Sequence, residues 1–148
     1  MAHVQHSSVI PVSKNDLFDF LSDYRKRPRI MPPDISLELT SVPGELKTGV
    51  IYNFKITRYG MSYAFAVNIE NCIKGSTIVE KSQTSFFDEW TNTILFEEHG
   101  EKATLLTSIM EYKLPYGVLG TLADDLFVKG DLLRILTYSH NKIKSFFD

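Results

Sequence analysis

Residues 112–147 read YKLPYGVLGTLADDLFVKGDLLRILTYSHNKIKSFF, and this stretch decides the fold. Its apolar residues recur at spacings of three, four or seven, which is the period of one helix face. The stripe consists of Leu119, Leu122, Leu126, Leu133, Leu136, His140, Ile143 and Phe147. Pro115 and Gly117 mark the helix entry, and at 1.5 Å per residue the helix would run for about 45 Å. Such a helix crosses a small domain, and its stripe requires a partner surface.

The composition of the chain indicates the class of protein to which it belongs. The chain has 148 residues, a net charge of −2 and 43% hydrophobic residues, which is typical of one globular domain over residues 1–148. Its charge does not favour nucleic acid, and no apolar run approaches the roughly 18 residues that stable membrane insertion requires. The first residues do not resemble a signal peptide, so we expect a cytoplasmic protein, and a homodimer is compatible with the sequence. Cys72 is the single cysteine, which excludes an internal disulfide.

Two short helices are predicted between the first strand and the second. Residues 4–12 are rich in β-branched side chains and form the first strand, after which Ser13 is the expected N-cap of a helix that ends near Asp23. Pro28 limits the second helix to one or two turns. This second segment carries the basic cluster Arg25, Lys26, Arg27 and Arg29. A contact with an anionic group is one interpretation of the cluster, but its composition favours a solvated face.

From residue 35 to residue 114 the apolar period changes from 3.6 to two, which predicts about six successive strands joined by hairpins. Pro43-Gly44, Gly60, Lys74-Gly75 and His99-Gly100 separate them. Consecutive hairpins make the sheet antiparallel, so the predicted fold class is α+β, with about seven strands in a curved sheet around the long C-terminal helix. A curved sheet closed by an amphipathic helix leaves a space between them, and the large aromatic residues of the concave face would line it.

Several short motifs of this chain resemble those of the helix-grip superfamily, which includes START lipid-transfer domains, Bet v 1-like allergens and aromatic polyketide cyclases. The similarity is greatest to a bacterial, polyketide cyclase-like branch of SRPBCC ligand-binding proteins. It covers the full chain and rests on residues 18–21, 31–33, 111–120 and 126–128, and on Trp90 and Phe96, which match a pattern Trp-x-His-x-His-x-Phe. The resemblance implies a helix-grip fold with a ligand cavity between the sheet and the C-terminal helix.

The departures from that pattern concern its polar positions. Asn92 and Ile94 replace the two histidines, and Ser108 stands where relatives tend to carry an aspartate. Strand alternation places all three on the concave face. Without an imidazole or a carboxylate there, this patch has no group that titrates near pH 7, so the sequence favours binding over acid–base catalysis.

The predicted cavity residues are those that strand alternation directs toward the space under the helix, together with two leucines of the helix stripe. They are Tyr52, Phe54, Phe65, Trp90, Asn92, Ile94, Phe96, Leu106, Ser108, Met110, Tyr112, Leu122 and Leu126. Asn92 needs a hydrogen-bond partner, either Ser108 or Tyr112 on the next strand or a polar group of a ligand. His140 fits a satisfied core histidine, and Asp124, Asp125 and Asp131 fit a solvated helix face. The sequence predicts no catalytic residue, no metal site and no cofactor.

Three functions remain open at this stage. The first is a module that binds or carries an apolar small molecule, such as a lipid, isoprenoid, quinone or polyketide-like compound. The second is a cyclase or dehydratase-like enzyme that folds its substrate in the cavity, with Tyr52, Tyr112 or Asn92 as polar guides. The third is a protein-interaction module with a filled core, in which the basic cluster meets an acidic partner.

Overall fold

The computed structural model describes residues 2–41, 44–115 and 127–148. Its strands are β1 (Ala2–Ile10), β2 (Ser36–Leu39), β3 (Ile51–Arg58), β4 (Met61–Ile73), β5 (Thr77–Thr84), β6 (Glu89–Glu98) and β7 (Thr104–Lys113). Its helices are α1 (Lys14–Ser22), a 3-10 helix (Tyr24–Ile30) and the terminal helix α2 (Lys129–Ser145). The predicted α+β helix-grip arrangement, with two short helices between the first and second strands, is confirmed.

All seven strands belong to one antiparallel sheet with the order β1-β7-β6-β5-β4-β3-β2. The segment with α1 and the 3-10 helix carries the chain between the two edge strands, β1 and β2. Two register shifts interrupt the pairing of β4 with β5, between Ala66 and Val67 and between Ile69 and Asn71. Such irregularities increase the local twist and bend, and they help to give the sheet its concave face.

Helix α1 begins as the sequence predicts. Ser13 has an extended backbone, and its Oγ accepts a hydrogen bond from the backbone N–H of Asp16 at 3.3 Å. The apolar face of the helix buries Leu17, Phe18 and Leu21. Because Phe18 packs edge-on against Phe96 of β6 at 5.2 Å between ring centroids, α1 covers this end of the sheet.

Replacing Ser13 with alanine is expected to lower the free energy of unfolding by about 1 kcal/mol, because a backbone N–H of the first turn loses its acceptor. Urea unfolding of Ser13→Ala measures the loss. The control is Ser36→Ala, which changes an exposed serine on the edge strand β2. Equal losses in the two variants would show that the cap does not stabilise α1.

Among residues 127–148, the stripe of the terminal helix differs from the predicted one at one position. The residues that α2 buries are Leu132, Leu136, His140 and Ile143, whereas Leu133 is 41% exposed. Spacings of four, four and three residues keep the buried set on one face, and Leu133 lies about 100° away from Leu132 around the helix. Phe147 follows the helix and packs at the edge of the core. The predicted stripe residues Leu119, Leu122 and Leu126 lie outside the described residues.

Candidate functional site

A cavity of about 710 Å³ lies between the concave face of the sheet and α2. Strands β3, β4, β6 and β7 supply much of its wall, the 3-10 helix contributes Tyr24, Arg27 and Ile30, and the buried face of α2 closes it. Most of the lining side chains are aliphatic or aromatic. The core of this domain is therefore not filled, which argues against the third function considered from the sequence.

Eight of the predicted residues line the cavity. They are Phe54, Phe65, Trp90, Asn92, Ile94, Leu106, Ser108 and Met110. Strand alternation brings them together, because each contributes a side chain to the concave face of β3, β4, β6 or β7. Among them, Phe65 packs edge-on against Trp90 at 5.0 Å, which forms an aromatic corner between β4 and β6.

Three other predicted residues are buried but do not line the cavity, because each is covered by a second aromatic ring. Tyr52 stacks on Tyr24 at 3.9 Å and donates a hydrogen bond to the carbonyl oxygen of Gly44 at 3.1 Å. Phe96 is covered by Phe18 of α1. Tyr112 packs against Phe87 at 5.5 Å. The covering rings come from helices and a loop, whose positions strand alternation cannot predict. The two remaining predicted residues, Leu122 and Leu126, lie outside the described residues.

A buried carboxylate that the sequence analysis missed is the centre of the polar part of the cavity. Glu80 of β5 is only 3% exposed and lines the cavity. Its Oε2 accepts hydrogen bonds from the Tyr24 hydroxyl at 2.5 Å and from Arg27 Nη1 at 3.1 Å, and its Oε1 accepts one from Asn92 Nδ2 at 3.0 Å. Ile78 and Glu80 are two residues apart on β5, so their side chains lie on the same face. This spacing was the sequence signal that could have placed Glu80 beside a buried residue.

Arg27 corrects the prediction of a solvated basic face. Its guanidinium lies 4.1 Å from the centroid of the Tyr24 ring, and Nε and Nη2 donate to the carbonyl oxygen of Leu21. Burial opposes its charge, but the adjacent Glu80 and Tyr24 raise the pKa of Arg27 above its ordinary value. Burial, with the neighbouring Glu80, raises the pKa of Tyr24 well above its ordinary value, so this hydroxyl stays protonated and donates to Glu80.

Asn92 has a different partner from the two that were predicted. In the register of the sheet, the residue opposite Asn92 on β5 is Glu80, and the residue opposite it on β7 is Met110. Its amide nitrogen therefore reaches Glu80 rather than Ser108 or Tyr112. The amide oxygen, Oδ1, is buried and accepts no hydrogen bond from any residue that the structure describes.

His140 of α2 is a satisfied core histidine, as predicted. It is 2% exposed, with Nδ1 at 2.7 Å from Ser8 Oγ and Nε2 at 2.9 Å from Ser108 Oγ. Burial, assisted by the charge of the neighbouring His6, lowers the pKa of His140 to about 4. The imidazole is therefore neutral at pH 7. Together with Glu80 it shows that the prediction of a patch without imidazole or carboxylate was wrong.

A network of ion pairs crosses the cavity wall between β3 and α2. Arg58 Nη1 and Nη2 each donate to a carboxylate oxygen of Asp131 at 2.6 Å. Arg134 makes a similar bidentate pair with Asp34 at 3.0 Å and also donates to Asp131. The hydrogen bond from Arg58 holds the pKa of Asp131 below its ordinary value, although burial opposes this. Asp131 is thus paired across the fold, which corrects the prediction that it is solvated.

Exposed apolar side chains surround this part of the cavity. Tyr59 is 83% exposed, Met61 and Phe127 are each 70% exposed, and all three also line the cavity. Tyr59 and Gly60 form the tight turn between β3 and β4, with φ of 54° and 74°. Both residues have the positive φ that a two-residue hairpin turn requires, so Arg58 and Met61 are held on either side of it.

Within residues 2–41, 44–115 and 127–148, no three histidine, cysteine or acidic side chains lie where they could share a metal ion. None of the helices described in these ranges is long and apolar enough to cross a membrane.

Comparison with known proteins shows the fold. No protein-family model matches the sequence, and no curated protein matches it. Among solved structures, a START superfamily protein from Mycobacterium smegmatis has a TM-score of 0.70 at 17% identity, with 98% of this chain and 96% of that one covered. The major latex-like protein 151 of Panax ginseng has a TM-score of 0.71 at 15% identity, with 99% and 97% covered. Ara h 8.0201 has a TM-score of 0.66 at 14% identity, with 97% and 98% covered.

These three structures match the chain over nearly its whole length. The helix-grip fold that the sequence motifs implied is therefore confirmed. At identities of 14–17% the likeness shows the fold alone, and one fold can serve many functions. Function has to be argued from the residues of the cavity.

Proposed function

We propose that this protein binds and carries an apolar small molecule of the lipid, isoprenoid, quinone or polyketide-like class. The observation that supports the proposal is the cavity of about 710 Å³ with largely apolar walls. Its size falls within the roughly 300–1,000 Å³ of small-molecule sites in proteins. A ligand that removes these walls from water gains about 25 cal/mol for each Å² of apolar surface that it covers.

The alternative function is a polyketide cyclase or dehydratase-like enzyme. The buried Glu80 is the one observation that specifically favours it. A carboxylate on a cavity wall is a candidate general base. However, three protein donors already occupy its oxygens, and Arg27 neutralises its charge. Of the polar guides suggested by the sequence, only Asn92 lines the cavity. A base must reach the proton that it removes, so this arrangement favours binding over catalysis.

Native mass spectrometry of the purified protein, followed by organic extraction, tests the binding proposal. We expect a non-covalent adduct that is lost on denaturation and an extract that contains an apolar compound. A second assay measures the affinity for the neutral fluorescent compound N-phenyl-1-naphthylamine. If neither assay detects a bound molecule, the proposed function is wrong.

One tryptophan variant and one phenylalanine variant, both on β6, test where the molecule binds. Trp90 and Phe96 are both buried on β6, but Trp90 lines the cavity and Phe96 does not. Trp90→Leu is expected to weaken binding of N-phenyl-1-naphthylamine about tenfold, because an aromatic wall is lost, whereas Phe96→Leu leaves the affinity nearly unchanged. Equal effects of the two substitutions would place the bound molecule outside this cavity.

A further inference from the structure

We propose that the ligand carries a neutral hydrogen-bond donor, a hydroxyl or an N–H group, and that Asn92 Oδ1 accepts its hydrogen bond at the polar end of the cavity. This inference rests on the proposed binding function and names the chemical class of the ligand. The class is an apolar alcohol, phenol or similar compound, as distinct from a hydrocarbon, a ketone or a fatty-acid anion.

The orientation of the Asn92 amide follows from its neighbour. Glu80 forms an ion pair with Arg27, and an ionised carboxylate accepts hydrogen bonds but donates none. The group that lies 3.0 Å from Glu80 Oε1 must therefore be the amide nitrogen. This leaves the oxygen of Asn92 as the second hydrogen-bonding group of the side chain, and it is an acceptor.

The amide oxygen has no partner within the part of the chain that the structure describes. Asn92 is 6% exposed and lines the cavity, so water has little access to it. Next to it on the same strand face are Trp90 and Ile94, and Met110 lies opposite on β7. Isoleucine and methionine side chains have no hydrogen-bond donor, and the indole N–H of Trp90 does not bond to Oδ1. A buried acceptor without a donor is costly, and a ligand donor that meets it gains the hydrogen bond.

The donors closest to this part of the cavity are already used. The Tyr24 hydroxyl and Arg27 Nη1 donate to Glu80, and Arg27 Nε and Nη2 donate to Leu21. A ligand that offers only an acceptor therefore finds no free donor in this cluster; the unpaired donor Arg58 Nε belongs to the wall between β3 and α2. Oδ1 is enclosed by protein atoms in this structure, so contact with a ligand requires the Asn92 amide to turn about its last side-chain torsion, which has a broad well in asparagine.

The charges of the cluster favour a neutral ligand. A carboxylate next to Asn92 Oδ1 would bring a second negative charge close to Glu80. It would also place two hydrogen-bond acceptors against each other without a donor between them. An ammonium group would lie close to Arg27 and would lose its hydration in an apolar cavity. A hydroxyl group avoids both costs, because it donates one hydrogen bond and carries no charge.

The test compares two ligands with the same carbon skeleton, 2-dodecanol, which donates a hydrogen bond, and 2-dodecanone, which only accepts one. Isothermal titration calorimetry measures both affinities for the wild-type protein, for Asn92→Leu and for Met110→Leu. Met110→Leu is the matched control, because it changes the cavity residue opposite Asn92 without changing its polarity. Circular dichroism checks that each variant is folded.

We expect the wild-type protein and Met110→Leu to bind the alcohol about tenfold more tightly than the ketone, which corresponds to one net hydrogen bond. In Asn92→Leu the ratio of the two affinities should fall to about one. Equal affinities for the two compounds in the wild-type protein would overturn the donor inference. A preference for the alcohol that survives in Asn92→Leu would overturn it as well. Neither outcome would contradict the proposed binding function. If neither compound binds, the proposed function fails, and the donor inference fails with it.

Discussion

The substitution Glu80→Ala is expected to lower the free energy of unfolding by about 3–5 kcal/mol, because it removes one partner of a buried ion pair. Arg27 has a side chain that is only 13% exposed, and it would keep its charge without a counter-ion. The Tyr24 hydroxyl and the Asn92 amide nitrogen would lose their acceptor as well. Urea unfolding followed by far-UV circular dichroism, with linear extrapolation to water, measures the loss.

Two further variants make this prediction specific. Glu70→Ala removes a glutamate of β4 that is 45% exposed and lies 3.9 Å from Lys81, and it should change stability by less than about 0.5 kcal/mol. The double variant Arg27→Met with Glu80→Leu replaces the pair with apolar side chains and should recover about 1–3 kcal/mol of the loss. If Glu80→Ala is no more harmful than Glu70→Ala, the carboxylate is not buried as the structure shows.

The regular elements of this fold were predictable because local patterns determine them. Alternation over residues 51–58 and 89–98 directs Tyr52, Phe54, Trp90 and Asn92 to one face, and the structure buries all four. The cap at Ser13 is likewise encoded within four residues. The exposure of Leu133 was not predictable in this way, because spacings of three, four and seven residues do not decide whether Leu132 or Leu133 faces the sheet. The rotation of the helix about its own axis decides it.

The polar part of the site could not be predicted in the same way, because its partners are distant in the sequence. Arg27 and Glu80 are 53 residues apart, and Tyr24 and Glu80 are 56 residues apart. A basic residue in a 3-10 helix and a glutamate in a strand each suggest a solvated side chain. Only the packing of that helix over the sheet turns Arg27 inward and gives Glu80 a counter-ion. The apolar wall is thus a property of strand periodicity, whereas the polar cluster is a property of the tertiary fold.

The second large effect is expected from His140 and depends on pH. The imidazole has a pKa of about 4 in the folded protein, because it is buried next to His6, and an ordinary value of 6.5 applies to the unfolded chain. The unfolded chain therefore binds a proton more readily than the folded protein between these two values. The contribution of the neutral His140 to stability is complete above pH 6.5 and is lost as the pH falls toward 4.

From this difference we expect the free energy of unfolding to fall by about 2–3 kcal/mol between pH 7.5 and pH 4.5, measured by urea unfolding. His140→Gln keeps an amide that can bond to Ser8 and Ser108 but does not titrate, so its stability should change much less over this range. His99→Gln, at an exposed turn, should retain the wild-type dependence.

The carboxyl groups of Asp34 and Asp131 do not account for the slope, because hydrogen bonds with Arg134 and Arg58, respectively, hold their pKa values below the ordinary range. A wild-type profile that is flat between pH 7.5 and pH 4.5 would contradict a neutral imidazole enclosed between α2 and the sheet.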